Sequence, residues 1–281
     1  MFGVNFNQRM LHHIIYKHEN TNAPWVVFIH GAGGSSTIWF KQINAYRKEF
    51  NLLLIDLRGH GRTKVDEEVN KKLIYSFPSI AQEVYDVLDF NKIDNAHFIG
   101  VSLGTILIRQ LVELDPSRIH SMIMSGAIIS LTNFSRFLIV VGNILKKLVP
   151  FMFLYTLFAV IILPRRSHAK SRAVFIHEAK KMKKSEFIRW FGITRYLDTL
   201  LKRFQKEPHG LPILFISGRE DHMFIEDVKK MAKLEPHGTM AVVENCGHIV
   251  NIEQAEEFNR VTLDWLRGKQ LIVSNDTIIG N

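Results

Sequence analysis

The chain has one cysteine, Cys246, among 281 residues, so no intrachain disulfide can form. That poverty suits a reducing compartment, and the expected location is cytoplasmic. There is no run of about twenty apolar residues, which argues against a spanning helix. Met1 to His13 lacks a basic start followed by an apolar core, so no secretory signal is expected. Internal repeats and low-complexity tracts are missing. Paired Cys/His metal spacings are missing too, and His12-His13 alone makes no site, so no metal is expected. The glycine-rich stretch Gly31-Ala32-Gly33-Gly34 lacks the Lys-Ser/Thr ending of a phosphate loop, and no acid stands where a dinucleotide site needs one. Neither a cofactor nor a nucleic-acid partner is expected. Acidic residues are scarce in one region. Residues 136–206 hold sixteen Lys/Arg against three Asp/Glu, a surplus of +13 that leaves −4 for the rest of a chain whose total is +9.

What is present points to a globular protein. A 47% hydrophobic chain of this length can build one large α/β domain, or a domain with an insertion. Leu11 to Tyr16, Trp25 to Ile29, Asn51 to Asp56, Ala96 to Ile99, Ile119 to Ser125, Ile213 to Ser217 and Met240 to Val243 read as strands, several of them apolar throughout. Helix patterns follow Ile38, Ser76 to Phe90, Leu103, Phe224 to Leu234 and Ile249 to Leu266, while Lys64 to Tyr75 reads as surface loop. Alternation of this kind predicts a doubly wound, mostly parallel sheet covered on both faces. Residues 131–207 interrupt it with no clear buried strand. They read as a helical insertion between core segments 1–130 and 208–281, and apolar Leu148 to Leu163 is expected to form its inner face.

Gly100-Val101-Ser102-Leu103-Gly104 joins a strand pattern directly to a helix pattern. A serine at so sharp a turn is strained, with its hydroxyl pushed out at the sheet edge, and the flanking glycines remove Cβ atoms that would clash. Ser102 is therefore the candidate nucleophile. Hydrolysis through it needs a base, a group that orients the base, and donors for an oxyanion. His248, in Cys246-Gly247-His248 before the last helix, is the candidate base. Asp221 or Glu220, after the strand at Ile213, could orient it. The Gly31 to Gly34 stretch could bring backbone N–H groups close to a substrate oxygen.

In order along the chain stand His30-Gly31-Ala32-Gly33-Gly34, Asp56-Leu57-Arg58-Gly59-His60-Gly61-Arg62-Thr63, the Ser102 elbow, Gly218-Arg219-Glu220-Asp221 and Gly247-His248. This ordered set resembles the α/β-hydrolase superfamily over nearly the whole chain. The resemblance implies the α/β-hydrolase fold with a helical cap inserted after the sixth strand. It selects Asp221 over Glu220, giving the chain order Ser, Asp, His. It also implies oxyanion donors at the backbone N–H groups of Ala32 and Leu103. Ser102 departs from the epoxide hydrolases and haloalkane dehalogenases of this fold, which have aspartate at the elbow.

The expected activity is a serine hydrolase cleaving a carboxylic ester with an apolar acyl or alcohol part. The alternatives are a thioesterase, amidase, lactonase or carbon–carbon bond hydrolase with the same three residues, or a non-catalytic ligand-binding relative. The basic insertion either solvates its outer face with lysines or makes transient contact with an anionic membrane surface.

Overall fold

The computed structural model describes residues 10–269 and 279–280. Its strands are β1 (His13–Tyr16), β2 (Trp25–Ile29), β3 (Asn51–Ile55), β4 (Ala96–Val101), β5 (Ile119–Ser125), β6 (Ile213–Gly218), β7 (Gly238–Val243) and the two-residue β8 (Ile279–Gly280). They form one sheet in the order β1-β3-β2-β4-β5-β6-β7-β8. The six inner strands are parallel, and β1 and β8 close the edges antiparallel. The first crossover is made by a 3-10 turn at Ser36–Trp39 and α1 (Phe40–Tyr46). After β3 come α2 (Glu67–Lys72) and α3 (Phe77–Phe90), and after β4 comes α4 (Leu103–Leu114).

Side chains alternate across each strand, so continuous apolar strands supply two cores. Val27, Ile29, Leu53, Phe98, Met122 and Phe215 pack on one face against α3 and α4. Val26, Phe28, Leu52, Ile99, Ile123 and Leu214 pack on the other against Trp39, Tyr46, Phe258 and Val261.

Between β5 and β6 the chain forms α5 (Asn133–Leu145), α6 (Phe151–Ile162), α7 (Ala169–Ala179), α8 (Lys184–Ile193) and α9 (Leu197–Lys206). The insertion thus follows the fifth described strand, not the sixth. α10 (Ile225–Leu234) lies between β6 and β7, and α11 (Val250–Glu253) and α12 (Ala255–Leu266) follow β7. Two further expectations change. Asp66 caps α2, its Oδ1 accepting from Glu68 N–H at 2.9 Å. Glu67-Glu68 at the start and Lys71-Lys72 at the end suit the helix dipole, so a segment that reads as a charged loop is helical. The last helix is broken at Gln254, whose backbone (φ −128°, ψ 59°) is not helical. The inner-face reading of the apolar run holds for Leu154, Tyr155 and Ala159, which are buried, but Phe153, Leu157 and Val160 face solvent.

Candidate active site

Ser102 is the single residue between β4 and α4, with φ +53° and ψ −117°. Such a backbone costs about 1–3 kcal/mol and persists only where the surroundings enforce it. They do so here. Ser102 N–H donates to the Ser125 carbonyl at 3.0 Å, and the Ser102 carbonyl accepts from Thr105 N–H at 2.9 Å. A Cβ on Gly104 would lie 2.3 Å from the Ile29 carbonyl oxygen, and one on Gly100 would lie 2.7 Å from Ile108 Cδ1. Helix and sheet can therefore meet this closely only with glycine at both positions.

His248 stands between β7 and α11, and Asp221 follows β6. Both are buried, and His248 Nδ1 lies 2.8 Å from Asp221 Oδ2. A carboxylate can only accept, so Nδ1 carries the proton. That leaves Nε2 as a bare acceptor, and it has no protein partner. Burial pulls the His248 pKa down, but the Asp221 charge and hydrogen bond outweigh it, and the net shift is upward from 6.5. Glu220, one residue away, turns to the insertion instead. It accepts from Arg165 Nη1 at 2.5 Å and pairs with His168 Nε2 at 2.7 Å.

The Gly31 to Gly34 loop runs beside Ser102: a Cβ on Gly31 would lie 3.2 Å from Ser102 Cβ. Two peptide groups of this loop are fixed from both sides. The Gly31 carbonyl accepts from His30 Nδ1 at 2.7 Å and from Gly34 N–H at 3.1 Å. In a trans peptide the N–H opposes the carbonyl, so this sets the direction of Ala32 N–H. The Ala32 carbonyl accepts from Tyr155 Oη at 2.8 Å, and Gly33 N–H donates to His60 Nε2 at 3.0 Å. Gly33 has φ +69°, and a Cβ there would lie 2.3 Å from Tyr155 Oη. Leu103 N–H, in the first turn of α4, is one of the donors a helix leaves without an internal partner.

Both loop histidines must be neutral for these bonds. His30 accepts from Leu57 N–H through Nε2 at 3.0 Å, and His60 donates from Nδ1 to the Arg58 carbonyl at 3.0 Å. Burial lowers the pKa of each, that of His60 to about 3. Asp56 anchors the same region, accepting from Ser36 N–H at 2.6 Å and Arg62 N–H at 2.8 Å. Burial would raise its pKa, but these N–H groups hold it below the usual carboxylate range. Arg58 is buried against Glu83, with Nε 3.0 Å from both carboxylate oxygens.

Two cavities meet at Ser102. One, of about 30 Å³, is lined by Gly31, Ala32, Ser102, Glu178, His248 and Ile249, among others. The other, of about 210 Å³, is lined by Ala32, Ser102 and Leu103 and by apolar residues that include Phe77, Ile106, Ile128, Phe158, Phe187 and Trp190. Its roof comes from α6, α7 and α8 of the insertion. Glu178 of α7 ties that roof to the loop, accepting from Ser35 Oγ at 2.6 Å.

The structure thus places Ser102 and Ala32 on both cavities, His248 on the smaller and Leu103 on the larger, with Asp221 bonded to His248, and leaves Glu220 turned to the insertion. His30, His60, Tyr155 and Glu178 escape a reading by residue role. The two histidines do stand in the glycine-rich motifs, which is a usable signal. Nothing in the sequence distinguishes Tyr155 within its apolar run. Among the described residues, no group of three or more His, Cys, Asp or Glu side chains could hold a metal ion.

Comparison with known proteins agrees with this fold. Residues 24–153 match the family described as alpha/beta hydrolase fold. A Pseudomonas savastanoi pv. phaseolicola protein, provisionally named carbamate hydrolase RutD, is 24% identical over 92% of this chain and 99% of its own length. Esterase YbfF of Escherichia coli is 30% identical over 38% of this chain and 39% of its own. The solved enol-lactonase of Burkholderia xenovorans superposes with a TM-score of 0.74 at 23% identity, covering 92% of this chain and 96% of that one. A match to the family's core, relatives along almost the full length and a shared three-dimensional arrangement agree: the chain has the α/β-hydrolase fold and is similar to members of that superfamily.

Proposed function

We propose that the protein is a serine hydrolase that cleaves carboxylic esters with an apolar acyl part, and that the helical insertion is its cap. The observation that carries this is the buried Asp221–His248 hydrogen bond, which leaves His248 Nε2 bare at a cavity it shares with the strained Ser102. Ser102 Oγ attacks the ester carbonyl while His248 Nε2 takes the hydroxyl proton. The oxygen that becomes negative is met by the N–H groups of Ala32 and Leu103. His248 returns the proton to the leaving alcohol, and the acyl group stays on Ser102. Water, activated by the same histidine, then releases the acid. Asp221 holds the histidine tautomer and stabilises its charged form.

The two cavities give the substrate a direction. The leaving oxygen must reach His248, so the alcohol occupies the cavity that His248 lines. At about 30 Å³ that cavity holds one water-sized group or little more. The acyl chain takes the larger apolar chamber. Methyl esters should therefore gain in kcat/KM by up to about fourfold per acyl methylene until the chamber is full. Acetate esters should lose activity as the alcohol grows. The names of the relatives support a hydrolytic reaction at a carbonyl and differ in the bond: carbamate, ester and enol-lactone. A panel containing all three classes, with a fluorophosphonate probe, tests the proposal. Ser102→Ala should lower turnover by several orders of magnitude and abolish labelling, as triad removal does. Native-like turnover in Ser102→Ala, on a substrate the native protein cleaves, sinks the mechanism. Failure of folded native protein to label favours a ligand-binding role.

A further inference from the structure

Helix α5 carries its apolar stripe outward. Phe134, Phe137, Val140, Ile144 and, one turn past the helix end, Leu148 are spaced by three and four residues, which sets them along one side. All are exposed: Phe137 by 61%, Ile144 by 63% and Leu148 by 75%. In a helix packed on a core this stripe would be the buried one. α6 has a shorter exposed stripe of the same kind in Phe153, Leu157 and Val160. Single exposed apolar residues need no explanation, but a continuous stripe marks a surface that meets something apolar.

The charge around the α5 stripe says what that partner is. A groove lined by Val140 and Ile144 is rimmed by Arg136, Lys146, Lys147 and Arg195, with Asp198 its one acid. Asp198 is already paired with Arg136 and Lys202. Among the described residues, Lys147 and Arg195 make no salt bridge to an acid. Arg195 instead lies over the Tyr196 ring at 4.7 Å. Arg136 is compensated by Asp198, but Lys146, Lys147 and Arg195 leave the rim net positive. Burial first, and then the like charges of Arg195 and Lys147, lower the Lys146 pKa. A second copy of this face would bring positive charge onto positive charge. A bilayer with anionic headgroups over hydrocarbon matches both features, taking the apolar side chains below the headgroups and the basic ones among them. Thr194 lines both this groove and the apolar chamber beside Ser102, so the surface adjoins the site.

We infer that the α5 stripe and its basic rim form a docking face for an anionic lipid bilayer, which the protein meets from one side. No described helix is long and apolar enough to cross a membrane, so this is attachment at the surface. The experiment is co-sedimentation of the full chain with vesicles of phosphatidylcholine alone or mixed with phosphatidylglycerol, at low and high salt. The expected result is binding to the anionic vesicles, weakened by salt, and little binding to the neutral ones. Lys147→Gln with Arg195→Gln should lower partitioning by about thirtyfold, and Ile144→Ser with Leu148→Ser should lower it at least as far. Circular dichroism and thermal melting establish that both double variants are folded. Vesicle binding does not depend on catalysis, so its loss and a loss of hydrolysis are read separately. Absence of binding to anionic vesicles at low salt overturns the inference, as does binding that neither double variant weakens. A concentration-dependent dimer that Ile144→Ser with Leu148→Ser abolishes, in protein that ignores vesicles, assigns the stripe to a second copy.

Discussion

His60 gives the sharpest quantitative test of the loop beside Ser102. Its ring is buried, accepts from Gly33 N–H and donates to the Arg58 carbonyl, so a second ring proton has no place to go. Burial pushes its pKa from 6.5 down to about 3. In the unfolded chain His60 protonates as the pH falls below 6.5, while in the folded chain it does not. The unfolded state then binds more protons, so stability is fully present above 6.5 and is lost toward the folded value. Linkage puts the loss at about 2 kcal/mol between pH 7.5 and 5, and at about 4 kcal/mol by pH 3. Buried His30 shifts in the same direction, and His97 and His209 are lowered to about 4. The whole protein should therefore be acid-labile, and the His60 share must be isolated by difference. His60→Gln supplies an amide oxygen for Gly33 and an amide N–H for Arg58 but cannot titrate. Urea unfolding of both proteins at a series of pH values measures the difference. The variant should lose about 2 kcal/mol less than the native protein between pH 7.5 and 5, because the distant His97 and His209 cancel in the difference, while His30, its ring 4.9 Å from that of His60, is coupled to it. Superimposable pH dependences would refute the account of His60 as a buried neutral bridge.

Asp221→Asn should lower kcat by about 10³- to 10⁴-fold by presenting the wrong partner to His248. Glu220→Gln, altering a carboxylate held by Arg165 and His168, should stay within about threefold of native activity and cost about 1 kcal/mol of stability; the reverse ranking would exchange the two roles. The base form of His248 is lost as pH falls through its raised pKa, so the acid limb of kcat/KM should lie above the ordinary 6.5; a limb below 6.5 would contradict the paired, buried histidine. Tyr155→Phe removes the hydroxyl that holds the Ala32 carbonyl, and burial keeps that hydroxyl protonated in the native protein. Its kcat should fall about fivefold to tenfold with KM little changed, the effect of one hydrogen bond acting in the transition state; an unchanged kcat would make Tyr155 a packing residue.

The legible parts of this protein are those where backbone geometry restricts residue type. Gly100 and Gly104 are forced by contacts under 3 Å, so the elbow announces itself in five letters. The parallel strands are legible because burial on both faces admits little but apolar residues, as in Trp25–Ile29. Asp221 and Glu220 are different. Adjacent acids on a loop carry no local mark of direction, and what separates them is a distant partner for each: His248 for one, the start of α7 for the other. α2 is missed because charge at five of the seven positions from Asp66 to Lys72 hides a cap and a dipole pattern. The α6 run is half-read for a related reason. Hydropathy cannot say which side of an apolar helix is covered, and here Tyr155 reaches the Ala32 carbonyl while Phe153 and Leu157 meet solvent.

The insertion supplies more than a roof. Three of its residues reach two loops of the sheet domain: Tyr155 the Ala32 carbonyl and Glu178 the Ser35 hydroxyl in the loop after β2, and His168 the Glu220 carboxylate beside Asp221 in the loop after β6. Each contact lies within a few residues of a group in the proposed chemistry, yet none is made by a reacting group. A shift of the insertion that widened the chamber would release the Gly31 to Gly34 loop and the Asp221 loop together. On the proposed function, an acyl chain that packs against Phe158, Phe187 and Trp190 would brace the insertion in this position, and its binding energy would reach the loops around Ser102 through these contacts.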